Sequence, residues 1–447
     1  MLDVCDRLGI LVYDEFTDAW DIQKTADDYH VYFPDWWQRD LTSMVLRDRN
    51  HPSVFIWSIG NEISDDPNKY GARLAAHVRS LDTTRPVVLG GMNVGKTKDA
   101  WDYVDIGDFH GPPKASDHAA HPDKAVIQSE DLATQIFDDW KLTEDFPWFI
   151  GNLVWSGWDY IGEAGSGPTI LAQNQAEAMS FRVGLAPAMG KIPYPWFNNC
   201  QSDFDLIGQR RPQNYWRAVV NGLSPLELLV ARPTPPGVQQ FASWYSYFDE
   251  QPSWNWDVSD GQLMVVHAYS SGDQVALLLN DKPVETKTLT MADKRMATFS
   301  VPYKRGKLSA IAMKGGVEIG RKTLTTTGKA TALQLTSDVK VLTTGRGDLA
   351  HVLVQVIDAQ GRVVPDAVIK VSFEVTGAGK LVGVGNGNPH NVDSFERPRR
   401  WTWHGNALAI LRPAKTVGRL SLTARAEGLK PAMLTLPVFR EKRSLSS

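Results

Sequence analysis

The apolar residues change their period once along this chain, and the change divides it into two kinds of fold. Up to Leu223, short apolar runs alternate with stretches whose apolar residues recur at helical spacing; beyond it, helical spacing is scarce. Strands alternating with helices imply parallel βα units, closed as a barrel or left open as a doubly wound sheet. Six strands are predicted, beginning at Ile10, Ser53, Pro86, Val104, Ala125 and Phe149. Helices are predicted over Leu2–Arg7, Trp36–Asp48, Tyr70–Leu81, about Leu132–Trp140 and Pro212–Asn221. After the Pro-rich connector Ala231–Gly237, runs such as LMVVHAYS, QVALLLN, AVIKVSFEV and GRLSLTARAEG are separated by Gly, Asp, Asn and Pro turns. Those are antiparallel β-sandwich signals, with a joint between two sandwiches near Thr325–Lys329.

Within the first half, SVFIWSIGNE, residues Ser53–Glu62, is the most informative strand. It is almost wholly apolar, as strands buried on both faces are, and it stops in Gly60-Asn61-Glu62. In barrels of parallel strands the chemistry is built at the C-terminal strand ends, which makes Glu62 a catalytic candidate. Asn61 and Glu62 also suit the cap and first turn of a following helix, and this stretch alone does not separate the two readings.

Composition narrows the field. A chain of 447 residues divides into two to four domains. The net charge of -4 implies neither a nucleic acid nor an anionic membrane as partner. Two cysteines, Cys5 and Cys200, make no disulfide framework. No apolar run reaches the roughly 18 to 20 residues that span a bilayer, and the opening MLDVCDRLGILVYDE does not read as a signal peptide. Eleven of the 16 Trp precede residue 230; indole stacks on sugar faces but also fills cores.

Further strand ends carry acids. Val12-Tyr13-Asp14-Glu15 ends the first strand, Ser129-Glu130 the fifth, and Trp155-Ser156-Gly157-Trp158-Asp159 follows the sixth. Acids at the same end of successive strands converge on one mouth. Two such carboxylates are what glycosidic cleavage needs: one protonates the leaving oxygen while the other, at about 5 to 5.5 Å, attacks the anomeric carbon.

CDRLGILVYDE, WQRDLTSMVLRDRNHPSVFIWSIGNE and FIGNLVWSGWDYIGE resemble the catalytic barrel of glycoside hydrolase family 2. The resemblance implies Glu62 as general acid/base, Glu130 as nucleophile and Asn61 as the hydrogen-bond partner of the sugar hydroxyl beside the reacting carbon. It implies Asp14, His110, Trp155 and Asp159 as pocket walls. His110 also fits a satisfied core histidine, Asp159 a turn anchor and Asp14 a backbone-binding residue. The resemblance continues over SWNWDVSDG and VALLLNDKPV, similar to an accessory sandwich, and over residues 330–440, similar to a terminal immunoglobulin-like domain.

The expected fold is therefore α/β plus all-β: an incomplete (β/α)8 TIM barrel with about six of eight strands over residues 1–229, then immunoglobulin-like sandwiches over 230–328 and 329–447. The chain opens on the tail of a helix, as though the first two barrel strands and the domains before them were lost. The metal-binding acid and histidine of some family galactosidases are absent where Glu15-Phe16-Thr17-Asp18-Ala19-Trp20 stands, so no metal or other cofactor is expected. Between Asn152 and Gly190 there is no Lys to hold a uronate carboxylate, which favours galactoside over glucuronide. The expected activity is a retaining β-galactosidase acting on β-galactoside oligosaccharides or glycans. Another family specificity (β-mannosidase, β-glucuronidase or β-glucosidase) and a catalytically incompetent carbohydrate-binding or interaction module are the alternatives. A homo-oligomer or a complementing N-terminal polypeptide are the protein partners this leaves open, and the resemblance points to a periplasmic or extracellular location.

Overall fold

The computed structural model describes residues 1–63, 67–94, 98–164, 166–167, 169–178, 195–241, 245 and 247–441. They form two compact units, 1–156 and 157–447.

In the first unit, helix α1 (Leu2–Leu8) leads into strand β1 (Val12–Glu15). Then come α2 (Phe33–Asp48), β2 (Val54–Asn61), α3 (Pro67–Leu81) and β3 (Val87–Gly90). The run closes with β4 (Gly107–His110), α4 (Ala115–Ala119), β5 (Val126–Asp131), α5 (Ile136–Asp145) and β6 (Phe149–Val154). All the strand pairings are parallel and follow chain order, β1-β2-β3 and β4-β5-β6. The Asp105 N–H to Val87 and Met92 N–H to Asp108 hydrogen bonds, 2.8 and 3.0 Å, join the two sets.

Both faces of this curled sheet are covered, which is why its strands read as unbroken apolar runs. Outward, Val54, Trp57, Ile59, Val87 and Leu89 pack with Leu41 and Val45 of α2 and Leu74 and Val78 of α3. Inward, Ile56, Val88 and Ile127 meet the half-buried Tyr13, Phe55, Ile106 and Leu153. Helix α2 ends where Asn50-His51-Pro52 leave no helical continuation, and His51 Nδ1 lies 2.7 Å from Asp6 Oδ2.

The second unit contains two β-sandwiches. In the first, the sheet carrying Leu226–Ala231, Leu263–Ser270 and Met296–Pro302 shares one core with the sheet of Gln274–Leu279 and Lys307–Lys314. In the second, a four-stranded and a five-stranded sheet enclose Val352, Val354, Phe373, Ala409, Leu420 and Leu422.

The expected boundary at 229/230 falls inside the strand Leu226–Ala231, and the first compact unit ends at Ser156. The physical reason lies in helix Pro212–Val220. Its apolar face packs with the first sandwich: Trp216 stacks on Tyr247 at 5.6 Å and donates to the Lys294 carbonyl at 2.9 Å. Arg295 caps the helix end by donating to the Val219 and Val220 carbonyls at 2.9 and 3.0 Å.

Candidate active site

The C-terminal ends of β1 to β5 bring acids, an imidazole and hydroxyls to the inner face of the sheet. His110, at the end of β4, is the hub. Its Nδ1 lies 2.8 Å from Glu62 Oε1 and 3.4 Å from Glu130 Oε2. Its Nε2 lies 3.1 Å from Ser129 Oγ, and that hydroxyl donates to Asp108 Oδ1 at 2.6 Å. Asp108 is fully buried and also accepts from Tyr13 OH at 2.6 Å. One oxygen each of Glu62 and Glu130 and a ring nitrogen of His110 all lie within 4.8 Å of one another.

Two backbone features make this convergence. Opposite β4, Phe109 pairs with Gln128 but His110 pairs with Glu130, so β5 carries one extra residue there. A bulge of this kind re-aims a side chain. Ser129 and Glu130 consequently both face His110, while Asp131 turns to the helix side. The second feature is Gly90-Gly91 at the end of β3. A Cβ on Gly90 would sit 2.6 Å from Glu15 Oε2, and one on Gly91, whose φ is +59°, 2.8 Å from the His110 ring. At Gly91 the positive φ and the ring so close above both favour glycine, while a side chain on Gly90 would displace the Glu15 carboxyl. Glu62 itself has φ +47° and is held by its N–H bond to the Gly90 carbonyl at 2.8 Å. A non-glycine in that region carries strain of about 1 kcal/mol, which the surroundings must offset.

Asn61 is fastened at both ends. Its Nδ2 donates to Asp18 Oδ1 at 2.8 Å, its carbonyl accepts from Lys24 Nζ at 2.9 Å, and Lys24 Nζ also lies 2.8 Å from Asp18 Oδ1. Trp155 follows β6, and its N–H donates to the Asp131 carbonyl at 3.0 Å.

Two expected pocket residues make structural contacts. Asp14 points out of the sheet, where its carboxyl meets that of Asp48 on α2; side chains alternate along β1, so Glu15 takes the inner position, accepting from Ser58 Oγ at 2.9 Å. Asp159 lies in the second unit and is spent on structure: it is buried, accepts the Ser202 N–H at 3.1 Å, and binds the Arg211 guanidinium, with Nε 3.0 Å from Oδ2. The turn-anchor reading of Asp159 is the one its contacts fit. Tyr13, Glu15 and Ser129 stand in strand ends that the sequence marks, but without a role of their own there; Asp108, Asp18 and Lys24 are assigned nothing by the sequence. The Gly90-Gly91 pair and the polar residues within apolar β4 and β5 were the signals that could have found some of them.

Electrostatics at the mouth are dominated by burial and by His110. Burial pushes Glu130 up to about 7, with the negative charges of Glu62, Glu15 and Asp108 adding to it and His110 opposing. Burial likewise raises Glu15 to about 7 and Asp108 to about 6. Glu62 is lowered, chiefly by its hydrogen bond to His110. Burial of the His110 ring disfavours its charge, but the bond to Glu62 and the charges of Glu130 and Asp108 outweigh that and raise its pKa. Glu62, His110 and Glu130 are also a donor set of the kind that holds a divalent cation, as are Asp3, Asp6 and His51 by α1.

Residues 1–106 match the family model described as the TIM barrel domain of glycosyl hydrolases family 2, and residues 333–435 match C-terminal domain 5 of the same family. Residues 261–320 match a domain of unknown function. The chain belongs to glycoside hydrolase family 2. Among curated family relatives, β-galactosidase BoGH2A of Bacteroides ovatus is 28% identical over 98% of this chain and 55% of its own length. A putative β-glucuronidase of Formosa agariphila is 24% identical over 92% of this chain and 41% of its own. A family 2 structure from Bacteroides cellulosilyticus superposes with a TM-score of 0.90 at 34% identity, covering 99% of this chain and 56% of that one. The chain thus spans about half the length of the curated relatives it matches.

Proposed function

We propose that this family 2 chain carries the catalytic residues of a retaining glycosidase that cleaves terminal β-D-galactosides through a covalent glycosyl-enzyme intermediate. The observation that carries the proposal is the approach of Glu62 and Glu130 oxygens to within 4.8 Å, flanking one nitrogen of His110. That is the short separation of retaining enzymes, where the second carboxylate attacks directly; inverting enzymes leave about 6.5 to 9.5 Å for a water. Glu130 attacks the anomeric carbon, Glu62 protonates the departing oxygen and then takes the proton of the incoming water, and Asn61 binds the sugar hydroxyl beside the reacting carbon.

The resting distribution of protons is the reverse of what attack requires, since burial favours a proton on Glu130 and His110 favours charge on Glu62. Both carboxyls face the same nitrogen, so His110 Nδ1 gives its proton to Glu62 and takes the proton of Glu130 in its place, leaving the ring's charge unchanged. The Ser129–Asp108 pair behind Nε2 keeps the ring oriented meanwhile.

We read β1 to β6 as six strands of an eight-stranded (β/α)8 barrel. Among the described residues no strand covers the outer edges of β1 and β6, and a complementing segment carrying the remaining strands fits there. A second specificity, for β-glucuronides, has one supporting observation: Lys24 brings an ammonium to Asn61. Asp18 already neutralises that ammonium, which favours an uncharged sugar.

The test is hydrolysis of aryl β-galactoside and aryl β-glucuronide by the purified chain and by Glu130→Ala, with the released anomer followed by NMR. Galactoside cleavage with retained configuration, lost in Glu130→Ala, is the expected result. Inverted product or full turnover in Glu130→Ala overturns the mechanism; glucuronide preference overturns the specificity; no turnover by the chain alone supports the interaction-module reading.

A further inference from the structure

The five-stranded sheet of the terminal sandwich buries one face and leaves a charged, aromatic one outside. Its strands Gly418–Arg425, Lys370–Gly377 and Arg399–Trp401 are neighbours in that order. Val371, Phe373, Leu420, Leu422 and Ala424 turn inward to the core. The alternate residues face out, and the antiparallel register fixes which of them meet. Ser372 stands opposite Arg399 on one side and Arg425 on the other; Lys370 stands opposite Trp401. Two arginines therefore flank a hydroxyl across three strands, about 10 Å apart by the strand spacing. In the next row an indole, 42% exposed, lies beside an ammonium 6.0 Å from its ring centroid. These residues line a groove of about 750 Å³ whose sole acid is Glu427.

Sheets usually place opposite charges across from one another on a solvated face, because like charges at close quarters destabilise. Here Lys370, Arg399 and Arg425 make no ion pair among the described residues, although the chain as a whole is acidic. An exposed indole flanked by three cations that make no ion pair and outnumber the one acid of the groove suits a ligand that carries an anionic group beside an apolar ring face. A pyranose bearing a carboxylate or sulfate ester is such a ligand: the guanidinium forks of Arg399 and Arg425 bind the anion and the sugar face stacks on Trp401, while the Ser372 hydroxyl between them donates to the Arg425 carbonyl at 3.2 Å. A nucleic acid strand suits it less, since one ring offers a platform for a single base.

We propose that this outer face of the terminal sandwich binds an anionic polysaccharide chain at a site separate from Glu62 and Glu130. The proposal does not depend on the galactosidase reading, because its residues and its readout belong to the sandwich alone. The test is affinity electrophoresis of the full chain in native gels containing polygalacturonate, a sulfated galactan or a neutral galactan. Retardation by an anionic glycan and not by the neutral one is expected, and the stronger of the two anionic gels assigns carboxylate or sulfate. Trp401→Ala and the double variant Arg399→Ser/Arg425→Ser should each weaken retardation about tenfold, with unchanged circular dichroism. Equal migration in all gels, equal retardation by neutral galactan, wild-type retardation of both variants, or equally strong competition by single-stranded DNA would each overturn it.

Discussion

Strands β1 and β5 both end in consecutive acids, Asp14-Glu15 and Glu130-Asp131, and in each pair one carboxyl goes to the inner face and the other to the helix layer. The inner two, Glu15 and Glu130, meet groups of a different kind: Ser58 Oγ for one and the His110 ring for the other. The outer two meet acids. Asp14 faces Asp48 of α2, and Asp131 faces Asp139 of α5 while accepting from Asn152 Nδ2 at 2.7 Å. Burial raises members of both sets, Glu15 and Glu130 to about 7, Asp14 to about 6 and Asp139 to about 9. What differs is where the proton can go. An imidazole beside a buried carboxyl both takes and returns a proton near neutrality, whereas two facing carboxyls hold one between them. Burial of an acid is common to both faces; only the inner face has a partner that can exchange its proton.

The sharpest way to break that contrast is to remove the neighbours Glu130 and Asp131 separately. Glu130→Ala, like Glu62→Ala, is expected to lower turnover about 10³-fold and leave the unfolding midpoint unchanged or raised. Asp131→Ala should do the opposite, costing about 1–3 kcal/mol because Asn152 and Asp139 lose their partner, with turnover nearly intact. Steady-state rates and urea midpoints of the three variants decide it. A folded Asp131→Ala protein as inactive as Glu130→Ala would erase the distinction.

His110→Asn comes next in size. The ring lowers Glu62 by hydrogen bond and charge and opposes the rise of Glu130, so its loss lets both carboxyl pKa values climb. Both limbs of the kcat/KM pH profile should then move to higher pH, by about one unit. A lower maximum with unmoved limbs would mean that the ring contacts sugar without tuning either acid.

A smaller effect separates Glu15 from Asp14. Glu15→Gln keeps an acceptor for Ser58 and removes a charge that raises Glu130, so the limb governed by Glu130 should shift to lower pH. Asp14→Asn should leave that limb in place. If Asp14→Asn moves it as far as Glu15→Gln does, the inner and outer positions are not electrostatically distinct.

How much of this was legible in the sequence follows from the same alternation. Apolar runs and breaks such as Asn50-His51-Pro52 located all six strands, because strand burial and helix termination are local matters. The acids at strand ends were legible as residue types. Which face each took was not: a period of two means that a one-residue uncertainty in β1 exchanges Asp14 for Glu15. The bulge that turns both Ser129 and Glu130 inward depends on pairing with β4, a non-local fact. Asp108 was invisible for a related reason, since within β4 an acid reads as a defect until Tyr13 and Ser129 are seen to satisfy it. The helix Pro212–Val220 was found, but its apolar stripe could not say that its partner is the first sandwich.

The last contrast has no expected effect on turnover at all. Asp139 is raised to about 9, by burial first and then by its contact with Asp131, whereas in the unfolded chain an aspartate titrates near 3.9. A carboxyl whose folded pKa lies above its unfolded one favours folding most at pH below the unfolded value; that contribution is lost as pH climbs toward the folded value, because the unfolded chain releases the proton first. Asp139→Asn supplies a permanent donor in the same place and carries no titration. It should match the wild type near pH 4 and exceed it by about 2 kcal/mol near pH 8, measured as urea midpoints across that range with turnover unchanged. Equal pH slopes for both proteins would mean that the Asp131–Asp139 pair holds no shared proton, and the outer acids would then need another explanation for their burial.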